Sequence, residues 1–210
     1  MAEPSKAKVG IVDYGVANLG SMRNMLQRIG AAADFLTSPE SILAANKIIL
    51  PGIGAFDHGM DALTQRNLVE PLRKRVLEDK VPILGVCLGA QLLGKGSAEG
   101  VREGLGFIDA RCERFVPDPA ARIKVPHMGW NHLEPRRESP LLGQLDAHAR
   151  FYFVHSYHIV CADPADVLAT AMYGKPFTAM IQRENIHGAQ FHPEKSHRFG
   201  MRLLQNFLDI

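Results

Sequence analysis

Long apolar runs are missing from this sequence: no stretch approaches a membrane span, and the opening MAEPSKAK lacks the apolar core of a secretory leader. A soluble, cytoplasmic protein is expected. An excess of one charge is missing too, because 24 Lys and Arg against 22 Asp and Glu leave a formal net charge of +2. There is neither a global field nor a local basic patch to draw nucleic acid or an anionic membrane surface, and neither is expected as a partner. Cysteine is scarce. Cys87, Cys112 and Cys161 are odd in number, widely spaced and without a C-x-x-C pair, so a disulfide framework and a structural zinc site are both excluded and a reducing compartment fits. The nine histidines include no H-E-x-x-H and no Cys/His cluster of ligand spacing, so no metal and no cofactor are expected. Tryptophan occurs once, as Trp130 in KVPHMGWN, a Pro/Gly-bounded loop in which it is either an anchor or an interface residue.

What is present is a core. With 46% hydrophobic residues in 210, the chain can bury a substantial interior, and one domain spanning 1–210 is expected. KVGIV at Lys8 to Val12 reads as a buried strand broken by Asp13-Tyr14-Gly15, and the apolar residues of Asn18 to Ile29 recur at helical spacing, with Gly30 closing the helix. Ala33 to Leu36 reads as a second strand, Pro39 to Ala45 as a short helix, and Lys47 to Leu50 as a third strand ended by PGIG. Asp57 to Lys80 is helical in character, with Pro71 starting a second helix. Strands alternating with helices predict an α/β fold with a doubly wound, mostly parallel sheet. After about Gly96 the pattern changes to short β-branched and aromatic segments, Gly106 to Phe115, Phe151 to Val160, Val167 to Tyr173 and Phe177 to Gln182, which predict additional antiparallel strands. His187 to Phe191 reads as one more strand and Phe199 to Leu208 as a closing helix.

The stretch Val81 to Leu93, VPILGVCLGAQLL, places Cys87 between an apolar strand and a helix starting at Leu88. Gly85 and Gly89 flank it where a Cβ would collide with crossing backbone, the requirement of a nucleophile elbow. Free N–H groups at the helix start favour a thiolate there. Alone, the same pattern also suits a small core cysteine. FHPEK at Phe191 to Lys195 supplies the complement: in an extended chain His192 and Glu194 project to one side, so a carboxylate could fix the tautomer of an imidazole base. Cys87, His192 and Glu194 are a candidate triad, although H-P-E also suits a surface turn with an ion pair. An oxyanion needs donors; the Leu88 N–H is one, and the glycine-flanked loop Gly52-Ile53-Gly54 offers a second through Ile53. The loop is otherwise a strand terminator, and it lacks the ending of a phosphate-binding P-loop. In an open sheet these segments meet outside the carboxyl ends of the strands.

PGIGAF, GVCLGAQLL and QFHPEKS together resemble the class I glutamine amidotransferases, over nearly the whole chain, Lys8 to Leu208. VDYGVANLGS, PHMGWN and YFVHSYH are similar to the branch of that family that serves as the glutaminase subunit of imidazole glycerol phosphate synthase, in histidine biosynthesis. The resemblance implies a flavodoxin-like sheet, hydrolysis of glutamine through a thioester on Cys87, and glutamine held by Gly52, Gly54, Gln91, Ser156 and Tyr157. It implies a heterodimer with a (β/α)8 cyclase subunit that receives the ammonia, faced by Pro126, His127, Met128, Trp130 and Asn131. Ala90 and Ile53 replace the Met and Val common at those places and keep their apolar character. Arg111 to Arg122 is atypical and has no assigned role. The alternatives are a glutaminase serving another amidotransferase, and a non-catalytic partner-binding protein of the same fold.

Overall fold

A computed structural model of the chain describes residues 8–120 and 123–210. The opening segment read above for a leader, residues 1–7, and the end of the unassigned stretch, residues 121–122, lie outside the described residues. The first half is built as the alternation predicts. In chain order it runs β1 (Lys8–Val12), α1 (Leu19–Arg28), β2 (Ala32–Leu36), α2 (Pro39–Leu43), β3 (Ile48–Gly52), α3 (Phe56–Gln65), α4 (Val69–Arg73), β4 (Ile83–Cys87) and α5 (Leu88–Leu92). The second half runs β5 (Gly96–Ser97), β6 (Ala110–Arg114), β7 (His127–His132), β8 (Glu134–Pro135), β9 (Arg150–His155), β10 (Tyr157–Cys161), β11 (Val167–Tyr173), β12 (Lys175–Arg183), β13 (Ile186–Ala189) and α6 (His197–Asp209).

The strands β2-β1-β3-β4-β13 lie side by side and parallel, the flavodoxin-like order. Each of β3, β4 and β13 is buried along its whole length, because helices cover both faces. Successive residues divide between the two sides. Ile48 and Leu50 pack with Phe56, Leu63 and Leu72 beneath α3 and α4, whereas Ile49 packs with Met22 and Leu26 of α1 and Leu203 and Phe207 of α6. Pairing of Gly52 with Cys87 sets the ends of β3 and β4 level. Tyr14, just past β1, donates its hydroxyl hydrogen to the Pro51 carbonyl at 2.8 Å, so the three loops expected to converge do so.

Beyond β13 the sheet turns antiparallel through β12, β10 and β6, with β11 pairing β12 and β8. Four sequence expectations are corrected here. Phe151 to Val160 is not one strand: it divides at Ser156 into β9 and β10, which belong to different sheets, because His155 pairs with His127 of β7 while Tyr157 pairs with Arg114 of β6. The PHMGWN segment is not a loop but carries β7, whose residues alternate between inward and outward positions opposite β9. In Gly106 to Phe115 only Ala110–Arg114 is strand. The helix expected to start at Pro71 starts at Val69; proline at the third position removes an N–H that has no intrahelical partner anyway, and α4 continues as a π turn over Lys74–Glu78. No helix among the described residues is long and apolar enough to cross a membrane.

Candidate active site

The elbow is forced by close backbone crossings. A Cβ at Gly89 would run into the carbonyl oxygen of Leu50, and one at Gly85 would come within 2.7 Å of the Gly89 carbonyl and of Ala90 Cα. Cys87 itself adopts φ 53° and ψ −110°, a conformation that L residues occupy only when the surroundings impose it. That turn lifts the side chain out of β4 toward a cavity of about 500 Å³ while leaving the residue 7% exposed. The helix behind it, α5, has only five residues, so its dipole is small. The polarising group is His192.

His192 and Glu194 do share a side, but not through extended backbone. Pro193–Lys195 is a 3-10 turn, and it folds the carboxylate back onto the ring so that Nδ1 lies 2.7 Å from Glu194 Oε1. With Nδ1 on the carboxylate, Nε2 is the nitrogen that meets the Cys87 side chain, to which His192 is also hydrogen-bonded. The His192 backbone is anchored to β9: its N–H donates to the Tyr152 carbonyl at 2.9 Å, and its carbonyl accepts from Ser196 Oγ at 2.6 Å. Burial works to lower the pKa of this imidazole; hydrogen bonds and negative charge from Cys87 and Glu194 outweigh it and push the pKa up to about 10. At neutral pH His192 is therefore an imidazolium between two acidic partners. Glu194 Oε2 is buried with no hydrogen-bond partner among the described residues, which leaves His192 as the main recipient of the carboxylate's charge.

The cavity is lined by Ile53, Gly54, Cys87, Leu88, Gln91, Ser156, Tyr157 and His192, all singled out in the sequence for the site, by Pro126, expected instead to face a partner, and also by Glu99, His155 and Lys195. Gly52 is not in the lining. It is buried under Tyr14, whose hydroxyl a Cβ there would strike, so its smallness serves packing. Leu88 opens α5, where its N–H is not needed by the helix. The Ile53 N–H is in a different state: it donates to the Val16 carbonyl at 2.9 Å and is not aimed at Cys87. Of the two N–H groups expected to face an oxyanion, that of Leu88 is not claimed by the helix and that of Ile53 is engaged by Val16.

Three further polar residues were not singled out in the sequence, Glu99 and His155 in the cavity wall and Gln190 buried behind it. Glu99 accepts the Phe56 N–H at the start of α3 at 2.9 Å, and its loop is latched by Asp57, which accepts from the Val101 and Arg102 N–H groups at 3.0 and 2.9 Å. It brings a carboxylate to the cavity. Gln190, fully buried, reaches Cys87 Sγ with Nε2 at 4.0 Å, and its Oε1 accepts from Gln91 Nε2 at 3.1 Å. His155 donates from Nδ1 to the Tyr157 carbonyl at 2.8 Å. A polar residue at 0% exposure is a signal only a structure can give for Gln190, since Q in an apolar strand end reads as an edge residue.

The segment expected to face a partner is split by strand alternation. Met128 and Trp130 are 63% and 42% exposed, but His127 points into the core at 4%, so it is not a surface contact. Pro126 faces the cavity, and Asn131 donates to the Met172 carbonyl at 2.7 Å. The Trp130 indole stacks on His197 at 5.5 Å with 7° between planes, Arg150 lies 5.6 Å over its ring, and together with His132 and His148 they border an open concavity.

Residues 10–210 match the family "Glutamine amidotransferase class-I". A protein of Pseudomonas aeruginosa named imidazole glycerol phosphate synthase subunit HisH 2 is 50% identical over 200 residues, covering 95% of this chain and 98% of its own. A protein of the same name from Methanococcus maripaludis is 46% identical over the same shares. A Bdellovibrio bacteriovorus protein named imidazole glycerol phosphate synthase subunit HisH is 44% identical, over 96% of this chain and 100% of its own. Among solved structures, one described as a glutamine amidotransferase superposes with TM-score 0.71 at 22% identity, covering 96% of this chain and 97% of that one. PurLQS from Thermotoga maritima gives TM-score 0.71 at 16% identity, covering 97% and 98%. These two likenesses speak for the fold.

Proposed function

The chain belongs to the class I glutamine amidotransferases, and from that premise we propose that it is the glutaminase subunit of an imidazole glycerol phosphate synthase, hydrolysing glutamine to glutamate and ammonia and passing the ammonia to a cyclase subunit. The observation that carries the reading is the hydrogen-bonded series Cys87, His192, Glu194 on the floor of a cavity that also presents a carboxylate, Glu99. Residues 1–210 act as one amidotransferase domain, a reading supported by the family match over 10–210.

The chemistry follows from the charges. Cys87 Sγ attacks the side-chain carbonyl carbon of glutamine, forming a C–S bond, and the oxygen takes the electron pair beside the Leu88 N–H. His192, already protonated, gives its Nε2 proton to the departing nitrogen as the C–N bond breaks, so ammonia leaves and a thioester remains. The neutral imidazole then removes a proton from water, which attacks the thioester; Cys87 is released and glutamate forms. Glu194 keeps Nδ1–H directed at itself throughout, which holds the tautomer that presents Nε2 to sulfur. Glu99 suits the α-ammonium of the substrate, and Gln91, both of whose amide hydrogens are engaged by Tyr157 and Gln190, offers Oε1 as an acceptor. Trp130 and Met128 form the exposed face toward the cyclase. The partnership is a heterodimer in the cytoplasm.

The test mixes the purified chain with a cyclase subunit of this branch, the phosphoribosyl substrate of the cyclase and glutamine. Imidazole ring closure supported by glutamine is the expected result. Ring closure with added ammonium salts only, and no glutamate release, would refute the reading.

A further inference from the structure

His127 was expected on the partner-facing surface, yet it lies among Phe115, Phe153, Tyr173 and Phe177, with its ring centroid 4.1 Å from that of Tyr173. Within that aromatic box its ring nitrogen meets His155, at 3.2 Å from Nδ1 to Nε2. The proton positions on this pair follow from the acceptors. The Tyr157 carbonyl can only accept, so His155 carries its hydrogen on Nδ1. Burial holds both imidazoles neutral, His127 down to about 4 and His155 down to about 3, so His155 Nε2 has a lone pair, and the hydrogen between the rings is on His127 Nδ1. The chain of donors runs one way, from His127 to His155 to the Tyr157 carbonyl. That carbonyl also receives Gln91 Nε2 at 3.0 Å. Gln91, Ser156, Tyr157 and His155 are all wall residues of the cavity that holds Cys87.

We propose that His127 is a positioning residue for the glutamine site: by donating to His155 Nε2 it fixes the His155 tautomer, and through the Tyr157 carbonyl it fixes the Ser156-Tyr157 segment and the Gln91 amide against which glutamine is bound. The proposal rests on the glutaminase reading for its substrate, and on the acceptor geometry together with the burial of the two rings for its tautomer. Without His127, the His155 hydrogen is free to sit on Nε2. A lone pair then faces the Tyr157 oxygen, two acceptors oppose each other, and the wall of the site relaxes. His127 touches no substrate and takes no part in bond making, so its loss should appear in the affinity for glutamine and not in the chemical step.

The experiment compares His127→Leu with His127→Asn in the complex with the cyclase subunit. Asparagine places an amide N–H near the position of Nδ1 and can restore the donation; leucine cannot. Leaving His155 Nε2 buried and unpaired should raise the KM for glutamine roughly tenfold in His127→Leu, with kcat held within about twofold and His127→Asn close to the wild type. Alkylation of Cys87 by iodoacetamide, which is too small to need the glutamine pocket, should proceed equally in all three proteins. An unchanged KM in His127→Leu overturns the proposal, as does an equal loss in both variants or a parallel fall in alkylation. Independently of any turnover, nitrogen-15 shifts of the His155 ring in the wild-type protein should report Nδ1–H; Nε2–H there overturns the proposal even if glutamine hydrolysis is normal. Absence of hydrolysis with the Nδ1–H tautomer observed would instead refute the glutaminase reading and leave the histidine pair standing.

Discussion

The backbone N–H of Ile53 donates to the carbonyl of Val16 at 2.9 Å, although Ile53 lines the same cavity as Cys87. Under the proposed mechanism Leu88 is the first oxyanion donor, and Ile53 can serve as the second only if this bond breaks and the peptide turns. Removal of one such donor costs roughly a hundredfold or more in kcat. The chain alone should therefore turn glutamine over at least about a hundredfold more slowly than it does in the complex with cyclase and its substrate. Steady-state glutamate release with and without the partner checks this; equal rates would mean that the Ile53 orientation is irrelevant to the chemistry.

Glu194→Gln keeps the shape of the carboxyl group and removes its charge. Burial then acts on His192 with one fewer opposing partner, so its pKa falls, and the Nδ1–H tautomer loses its anchor. A drop in kcat of about a thousandfold or more is expected, by analogy with the loss of the orienting acid in a serine triad. Circular dichroism and glutamate release measured on the same preparation separate loss of chemistry from loss of fold. Cys87→Ala should abolish hydrolysis with complex formation intact.

At Gly89 a single methyl group meets the Leu50 carbonyl, which is backbone in the centre of the sheet and has nowhere to move. Gly89→Ala should destabilise the protein by about 1–3 kcal/mol or more and disturb the Cys87 turn. Urea unfolding gives the first quantity and thiol reactivity the second. A fully stable Gly89→Ala protein would show that β3 and α5 can separate without cost.

His187 sits at 1% exposure against Phe207, with both ring nitrogens lacking partners among the described residues. Burial, with Arg137 and Lys47 adding to it, lowers its pKa to about 4. The unfolded chain binds a proton at this residue below an ordinary value of about 6.5 while the folded one does not, so stability from this residue is full above that value and is lost as pH falls toward 4. His187→Leu should raise stability and flatten its decline between pH 6.5 and pH 4, as measured by denaturant unfolding across that range. A steeper acid decline in the variant would contradict the assignment.

Trp130→Ala removes a half-exposed ring whose contacts within the chain are His197, Arg150 and Tyr152, all near the surface. Weakened association with the cyclase subunit, by about tenfold or more if it anchors the interface, is expected together with an unaltered melting temperature. Titration calorimetry of the two subunits decides between an interface residue and a local anchor.

Much of this was legible in the sequence because it depends on local pattern. The alternation of β1, α1, β2, α2 and β3, and the glycines around Cys87, follow from burial on both faces and from backbone crossings that tolerate no Cβ. Convergence of Tyr14, Pro51 and Cys87 followed from sheet architecture. The rest depends on pairing across long separations. Nothing near Ser156 announces that its two neighbours join different sheets, and nothing near His127 announces that it turns inward, because β7 acquires its inner face only when β9 lies beside it. Glu99 reaches the site through a loop latched by Asp57, 42 positions earlier in the numbering from 57 to 99, a contact with no local signature.

Ser156 is a seam. On one side of it the chain is laced to β7, on the other to β6, and no ladder bonds the two lacings together at that residue. The cavity at Cys87 therefore has one wall hung from the small sheet and another from the large one. The β7–β9 ribbon carries Trp130 on its outer side and, along the edge of β9, holds the His192 backbone through the Tyr152 carbonyl, so the exposed indole and the histidine beside Cys87 hang from one two-stranded element.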